Sequence, residues 1–273
     1  MKERIITGAV LTILFLPLAF PVVSGSPFMC ILFAVFAAIG TLEILRCLQL
    51  LRFYAISVPL IVLCGLTPLF AYCLPISLFV RGALAAALIL YFYVMTITIW
   101  SKGKLRPLAS VSAVTLTAYI ACGFCSVILL RGEAHGAFLI YLVFLGAWVT
   151  DIFAYFTGML FGKHKLIVDV SPKKTVEGAI GGVLFTALSY LLFGVILSHF
   201  KEVDVSLFSF FLIGICAAVV AQIGDLMFSL FKREYGIIKD YGKIFPGHGG
   251  VLDRFDSFLA VAPFVYLLCG LFA

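Results

Sequence analysis

Apolar residues fill long blocks of the chain, and short polar segments rich in Lys, Arg, Asp, Gly and Pro separate them. Blocks of about 18 residues or more match the length an α-helix needs to cross the hydrocarbon core of a bilayer. Hydropathy predicts nine such helices, at about 5–24, 28–46, 54–72, 78–100, 109–130, 137–161, 179–198, 205–230 and 257–272. The first block starts at Ile5, behind Lys2 and Arg4, and no convincing small-residue cleavage site follows it, so it is read as a retained span. The expected fold is an all-α, polytopic integral membrane protein with its N-terminus in the cytoplasm. No internal repeat or low-complexity linker divides it, so residues 1–273 read as a single transmembrane domain.

Composition supports that reading, since 64% of residues are hydrophobic and the mean hydropathy is +1.21. A soluble core could not bury so much apolar surface. The net charge of +6 would suggest a nucleic-acid partner in a soluble domain. Aromatic-plus-basic RNA motifs are absent, however, and the basic residues fall in the loops that orient membrane helices, so no nucleic acid is expected. With the N-terminus inside, only Arg81, Arg131 and Lys201 of the 19 basic residues lie outside. Loops 162–178 and 231–256 then face the cytoplasm together, where nucleotides are. The eight cysteines scatter through predicted spans as small apolar residues. Cys122-Gly-Phe-Cys125 has redox spacing but lies inside an apolar run.

Polar residues within the spans carry the chemistry. Glu43 and Arg46, three apart near a cytoplasmic helix end, read as an ion pair or as snorkelling side chains. Pro17, Pro21, Pro59, Pro68 and Pro75 read as kinks or helix ends. Asp151 differs, because a carboxylate well inside an apolar stretch is costly unless paired, hydrated or metal-bound. Helical spacing puts Asp151, Tyr155, Gly158 and Gly162 on one face, an acidic and phenolic patch that runs into a small-residue seam. The run Ser171-Pro-Lys-Lys-Thr-Val-Glu-Gly178 follows. Ser171 before Pro172 predicts a helix start, with Lys173, Lys174, Thr175 and fresh backbone N–H groups aimed at an anion. Gln222, Asp225, Ser229 and Lys232 recur along one stripe of the eighth span.

That stripe leads into Ser229–Asp256, the most charged window of a chain with only 12% charged residues. It holds Lys232, Arg233, Glu234, Lys239, Asp240, Lys243, His248, Asp253, Arg254 and Asp256, with glycines at 236, 242, 247, 249 and 250. Cations, carboxylates and a glycine loop suit phosphate and metal binding at a membrane surface. Asp225, Asp253 and Asp256 offer the few hard oxygens that Mg²⁺ takes from protein while it keeps water and phosphate oxygens. No His/Cys spacing for zinc is present.

The segment Ser229–Asp256 resembles the signature of phosphatidate cytidylyltransferases, in the pattern Ser-x-apolar-Lys-Arg, Lys-Asp-x-Gly and Pro-x-His-Gly-Gly-x-x-Asp-Arg-x-Asp. Asp151 with Tyr155, the Ser171–Gly178 run and Gly224-Asp225-Leu226 resemble other blocks of that family in the same order. The resemblance covers about residue 145 to the C-terminus, so residues 109–273 read as the catalytic half and 1–108 as helices that scaffold a lipid cavity. It implies transfer of CMP from CTP to phosphatidic acid, giving CDP-diacylglycerol and pyrophosphate, at a cytoplasm-facing site of a bacterial-type inner membrane. Implied catalytic residues are Asp225, Lys232, Arg233, Lys239, Asp240, His248, Asp253, Arg254 and Asp256. Implied substrate-binding residues are Asp151, Tyr155, Ser171, Lys173, Lys174, Thr175, Glu177, Ser229, Gly249 and Gly250. Mg²⁺ on Asp225, Asp253 and Asp256, a second metal ion, membrane lipids around the substrates and a homodimer are further expectations.

Two positions depart from the family pattern. Ile237-Ile238 looks like a one-residue insertion between Arg233 and Lys239, and Phe228 stands where many members carry Glu. Two other classes accommodate the same residues. A secondary transporter would use Asp151 and Asp225 for ion coupling. A CTP-dependent kinase of polyisoprenoid or similar lipid alcohols would release CDP in place of pyrophosphate.

Overall fold

The computed structural model describes residues 27–133, 135–201, 206–236 and 250–271. Among these residues, 8 helices are long and apolar enough to cross a membrane. They match eight of the nine predicted spans, and the ninth, 5–24, lies outside the described residues. The chain falls into two compact units, the first reaching Leu129 and including Tyr235–Arg254, the second holding Leu130–Glu234 and Phe255 onward. The expected boundary at 108 falls in the first turn of the helix Pro107–Arg131.

In the first unit, α1 (Pro27–Cys47) packs along α2 (Tyr54–Cys73), followed by α3 (Ile76–Trp100) and α4 (Pro107–Arg131). Phe33 and Phe36 of α1 meet Phe124 of α4, with ring centroids 5.3 and 6.4 Å apart. Burial of such rings joins the helices where hydrocarbon would otherwise surround them. Pro59 and Pro68 lie inside α2 and do not end it. Each lacks the N–H that would reach the carbonyl four residues back, at Ala55 and Cys64. Hydroxyls take over both acceptors: Tyr93 of α3 donates to the Ala55 carbonyl at 3.0 Å, and Thr67 donates to the Cys64 carbonyl at 2.6 Å. In a phase without water, those bonds allow the helix to continue. Pro75 precedes α3 as its N-cap residue. The Cys122 and Cys125 thiols are free, as are the other cysteines.

The second unit contains α5 (Gly136–Phe144), a π-helical turn (Leu145–Val149) and α6 (Thr150–Phe161), which together form one predicted span. The π turn sits just ahead of Asp151. Its wider backbone is held by Thr150, whose hydroxyl donates to the Gly146 carbonyl at 2.6 Å and pairs with Thr186 at 2.8 Å. After α6 the chain forms an antiparallel hairpin, β1 (Lys165–Ile167) with β2 (Ser171–Thr175), pairing Lys165 with Thr175 and Ile167 with Ser171. α7 (Val176–Lys201) then packs extensively along both α6 and α8 (Leu207–Glu234). α9 (Leu252–Leu268) begins in the first unit and continues into the second.

The fold is helical as expected, with this one small hairpin between α6 and α7. One expectation changes here. Ser171-Pro172 opens a strand and not a helix; Thr175 is the actual cap, accepting from the Gly178 N–H at 3.1 Å. Gly158 and Gly162 lie against Thr175 within the chain, and a Cβ at Gly158 would come within 2.8 Å of its hydroxyl. Their small size serves the packing of α6 against Thr175 and α7.

Replacing Tyr93 with Phe leaves the Ala55 carbonyl unsatisfied beside hydrocarbon. The expected cost is about 1 kcal/mol, read as a lower thermal unfolding midpoint of the purified protein in detergent, with the helical signal unchanged.

Candidate active site

Four elements of the second unit bring polar side chains together. Lys174, near the end of β2, reaches Asp225 of α8 with Nζ 2.6 Å from Oδ2. The other oxygen of Asp225 accepts from the Ser229 hydroxyl at 3.3 Å, one turn further along α8. Both members of the ion pair are about three-quarters shielded, each side chain being 24% exposed, so solvent weakens the attraction less than at an open surface. Gln222, one turn earlier, donates to the Ala179 carbonyl at 3.1 Å and fixes α8 against the start of α7. Three members of the predicted stripe on α8, Gln222, Asp225 and Ser229, thus make different contacts.

Asp151 of α6 receives the Ser257 hydroxyl of α9 at 3.2 and 3.3 Å from its two oxygens. Ser257 also donates its backbone N–H to Asp256 Oδ1 at 2.8 Å. Asp256 feels the charges of Asp225, Asp151 and Lys232, and Asp151 those of Asp225 and Lys174. Three carboxylates thus stand within electrostatic reach of one another, against Lys174 and Lys232. Gly224 permits this crowding: a Cβ there would lie 2.9 Å from the Asp256 carbonyl oxygen, so any larger residue would push α8 from α9. A cavity of about 310 Å³ opens beside the cluster, lined by Asp151, Tyr155, Lys173, Lys174, Gln222 and Asp225, among others. It combines cations, carboxylates and an apolar wall, as a phosphorylated amphiphile requires.

The polar loop after α6 is folded by Glu177. Its carboxylate accepts from the backbone N–H groups of Lys163 and His164 at 3.1 and 3.2 Å, and meets His164 Nδ1 at 2.6 Å. Glu177, expected to bind substrate, is thus engaged in shaping the loop that presents Lys173 and Lys174. Arg233 Nε donates to the Val170 carbonyl at 3.4 Å, tying the end of α8 to the hairpin turn. Loop 162–178 and the end of α8 consequently lie at the same end of the helices, as the charge distribution requires. Thr175 lines the cavity while its hydroxyl caps α7.

In the first unit, Asp253 Oδ2 accepts from the Gly250 N–H at 2.8 Å, a return bond of capping-box type. Arg254 follows it on the exposed side of the first turn of α9. Among the described residues, no three His, Cys, Asp or Glu side chains form a preassembled metal-holding group. Phe228 is fully buried and belongs to the packing of α8. Lys239, Asp240, His248, Gly249 and the doubled Ile237-Ile238 lie outside the described residues.

Sequence reasoning missed Ser257, a small hydroxyl at the margin of the signature, although its place directly after Asp256 was the available signal. It also misread Glu43. That carboxylate is buried, and it accepts from the Val251 and Leu252 N–H groups at 3.0 Å each, while Arg46 is exposed.

Fold and site together define an integral membrane protein whose acidic and basic side chains gather at one end of its helices beside an amphipathic cavity. The chain belongs to the cytidylyltransferase family, whose model matches residues 2–272. A protein of Bacillus subtilis (strain 168) named phosphatidate cytidylyltransferase is 35% identical over 280 residues, covering 100% of this chain and 99% of the relative. Proteins of the same name from Staphylococcus saprophyticus and from Staphylococcus aureus (strain COL) are 34% and 33% identical, each match covering 98% of both chains.

Ser257→Ala removes the donor to Asp151 while keeping α9 helical. Cytidylyl transfer should fall by a few-fold to about tenfold, the scale of one hydrogen bond to a charged group, measured against a thermal midpoint that stays close to that of the parent.

Proposed function

We propose that this chain transfers CMP from CTP to phosphatidic acid within the membrane, releasing pyrophosphate and leaving CDP-diacylglycerol. The observation that carries the reading is the cavity in which Lys174 sits on Asp225 beside Asp151, in a chain matched from end to end by cytidylyltransferases. A phosphate oxygen of the lipid attacks the α-phosphorus of CTP as the bond to the β-phosphate breaks, and pyrophosphate leaves with that electron pair. The attacking phosphate is already ionised at neutral pH, so no strong base is needed. Alignment and charge neutralisation are the protein's main contributions.

Lys173 and Lys174 line the cavity and are placed to hold phosphate oxygens. Lys174 can exchange its bond to Asp225 for a substrate oxygen, which couples substrate entry to release of that carboxylate. Lys232 and Arg233, further along α8, would add to the cations that keep two anionic substrates together. His248 and Gly249 contribute a donor and backbone N–H groups to the same phosphates. The apolar wall with Tyr155 accommodates the lipid side of the reaction.

The donor set fits Mg²⁺, because Asp151, Asp225 and Asp256 crowd one another's charge and offer only hard oxygens. Asp225 and Asp256, both of the second unit, would hold it. When bound, the ion would neutralise triphosphate charge and favour departure of pyrophosphate. A second ion is compatible with the same carboxylates. The basic loops favour a site on the cytoplasmic side of a bacterial inner membrane.

The test is pyrophosphate release by purified protein given CTP, Mg²⁺ and phosphatidic acid, with each omitted in turn. Complete dependence on all three is expected; CDP as the nucleotide product would instead indicate a lipid kinase. Asp225→Asn conserves volume while removing charge, and should lower kcat at least about a hundredfold, as loss of a main electrostatic contributor does. Retained Mg²⁺-dependent turnover in that variant would count against Asp225 as a metal-holding residue.

A further inference from the structure

Glu43 is a buried carboxylate that the site chemistry leaves unused. It lies on α1, 208 residues before its hydrogen-bond partner Val251. Its two oxygens are both occupied: Oε1 accepts the Val251 N–H and Oε2 the Leu252 N–H, each at 3.0 Å. These N–H groups belong to the start of α9, where a helix has donors that no intrahelical carbonyl can satisfy. The side chain is 0% exposed, so water cannot substitute for it. Negative charge at a helix N-terminus is favoured by the helix dipole as well as by the two bonds.

Gly250 shows how closely this contact is built. A Cβ at that position would lie 2.5 Å from Glu43 Oε1 and 2.6 Å from Oε2. No side chain fits there, so the last glycine of the His248-Gly249-Gly250 run is required by the carboxylate behind it. The Gly250 N–H is meanwhile committed to Asp253 Oδ2 at 2.8 Å. Gly250 was expected to give its backbone to substrate; its N–H and its missing side chain are instead used to seat the beginning of α9. The bonds form a continuous chain from Glu43 through Val251 and Leu252 to the turn bearing Asp253 and Arg254.

We propose that Glu43 is a positioning residue for cytidylyl transfer. It touches no substrate. It clamps the first turn of α9 and thereby sets the direction in which Asp253 and Arg254 project, and α9 continues from there to Asp256. The proposal rests on the activity assigned above and adds a residue from the N-terminal half, which the family signature does not include. It also makes a distinction that simple packing does not: the clamp depends on two acceptor oxygens, and not on the volume of a glutamate.

The experiment uses the full chain in detergent or nanodiscs and four variants. Glu43→Gln keeps the shape, but its amide nitrogen faces a backbone N–H and one bond is lost. Its kcat should fall at least about tenfold, while KM for CTP changes less than about twofold and amide exchange over residues 250–253 accelerates. Gly250→Ala should be nearly inactive. Glu43→Asp withdraws the carboxylate by roughly one carbon–carbon bond, about 1.5 Å, and combined with Gly250→Ala it should recover turnover above that of Gly250→Ala alone. Arg46→Ala should leave kcat within about twofold of the parent.

Wild-type kcat per folded molecule in Glu43→Gln, with slow exchange at 250–253, overturns the proposal. So does an Arg46→Ala loss equal to that of Glu43→Gln, which would return Glu43 to an ion-pair role. A merely structural glutamate would lower the unfolding midpoint without changing kcat per folded molecule, and that too overturns it. Should the wild-type protein make no CDP-diacylglycerol, the assigned activity fails, while the exchange measurement still decides whether Glu43 clamps α9.

Discussion

Charge placed among apolar helices must be matched, and that requirement organises this protein. A carboxylate in hydrocarbon is unstable without a partner. Three of them have found different solutions: Asp225 a lysine, Asp151 a serine hydroxyl, Glu43 the open end of a helix. The solutions differ in how readily they can be exchanged. Lys174 approaches from a strand at the cavity wall and can turn to a phosphate, whereas the backbone donors held by Glu43 have nowhere else to go. An exchangeable pairing at the cavity and a fixed one at the start of α9 suit an enzyme that must admit two anions without losing its geometry.

Much of this was legible because isolated polar residues stand out in apolar sequence. Asp151, Asp225 and the stripe down α8 were visible for that reason, and the structure brings Asp151, Tyr155, Lys173, Lys174 and Asp225 around one cavity. Helix positions were equally legible, since length and hydropathy dominate when lipid is the solvent. Local reasoning failed where a plausible neighbour masked a distant one. Arg46 sits one turn from Glu43 and offered an easy partner, but the real partners, the Val251 and Leu252 N–H groups, lie far along the chain inside the signature block. Ser171-Pro172 has the chemistry of a helix start, yet the strand pairing to Lys165–Ile167 prevails and the cap moves to Thr175. Ser257 carries no charge, and only its place directly after Asp256 pointed to it.

The N-terminal half changes meaning as a result. Its sequence suggests little beyond scaffolding, and its helices do supply aromatic packing between α1 and α4. It also supplies the acceptor that starts α9. A signature motif is therefore incomplete as an account of its own structure: the turn that bears Asp253 and Arg254 is held by a carboxylate from far away in the chain.

The broken hydrogen-bond ladder of α2 has its own mechanical result. α3 buries few side chains, chiefly Phe79, Val94 and Thr98, so burial does little to set its orientation. The phenol of Tyr93 on the Ala55 carbonyl is directional where lipid contact is not. Turning α3 about its long axis would carry the phenol away and strand a carbonyl in oil. A proline in one helix thus gives the next helix a preferred azimuth, and so decides which of its sides the lipids see.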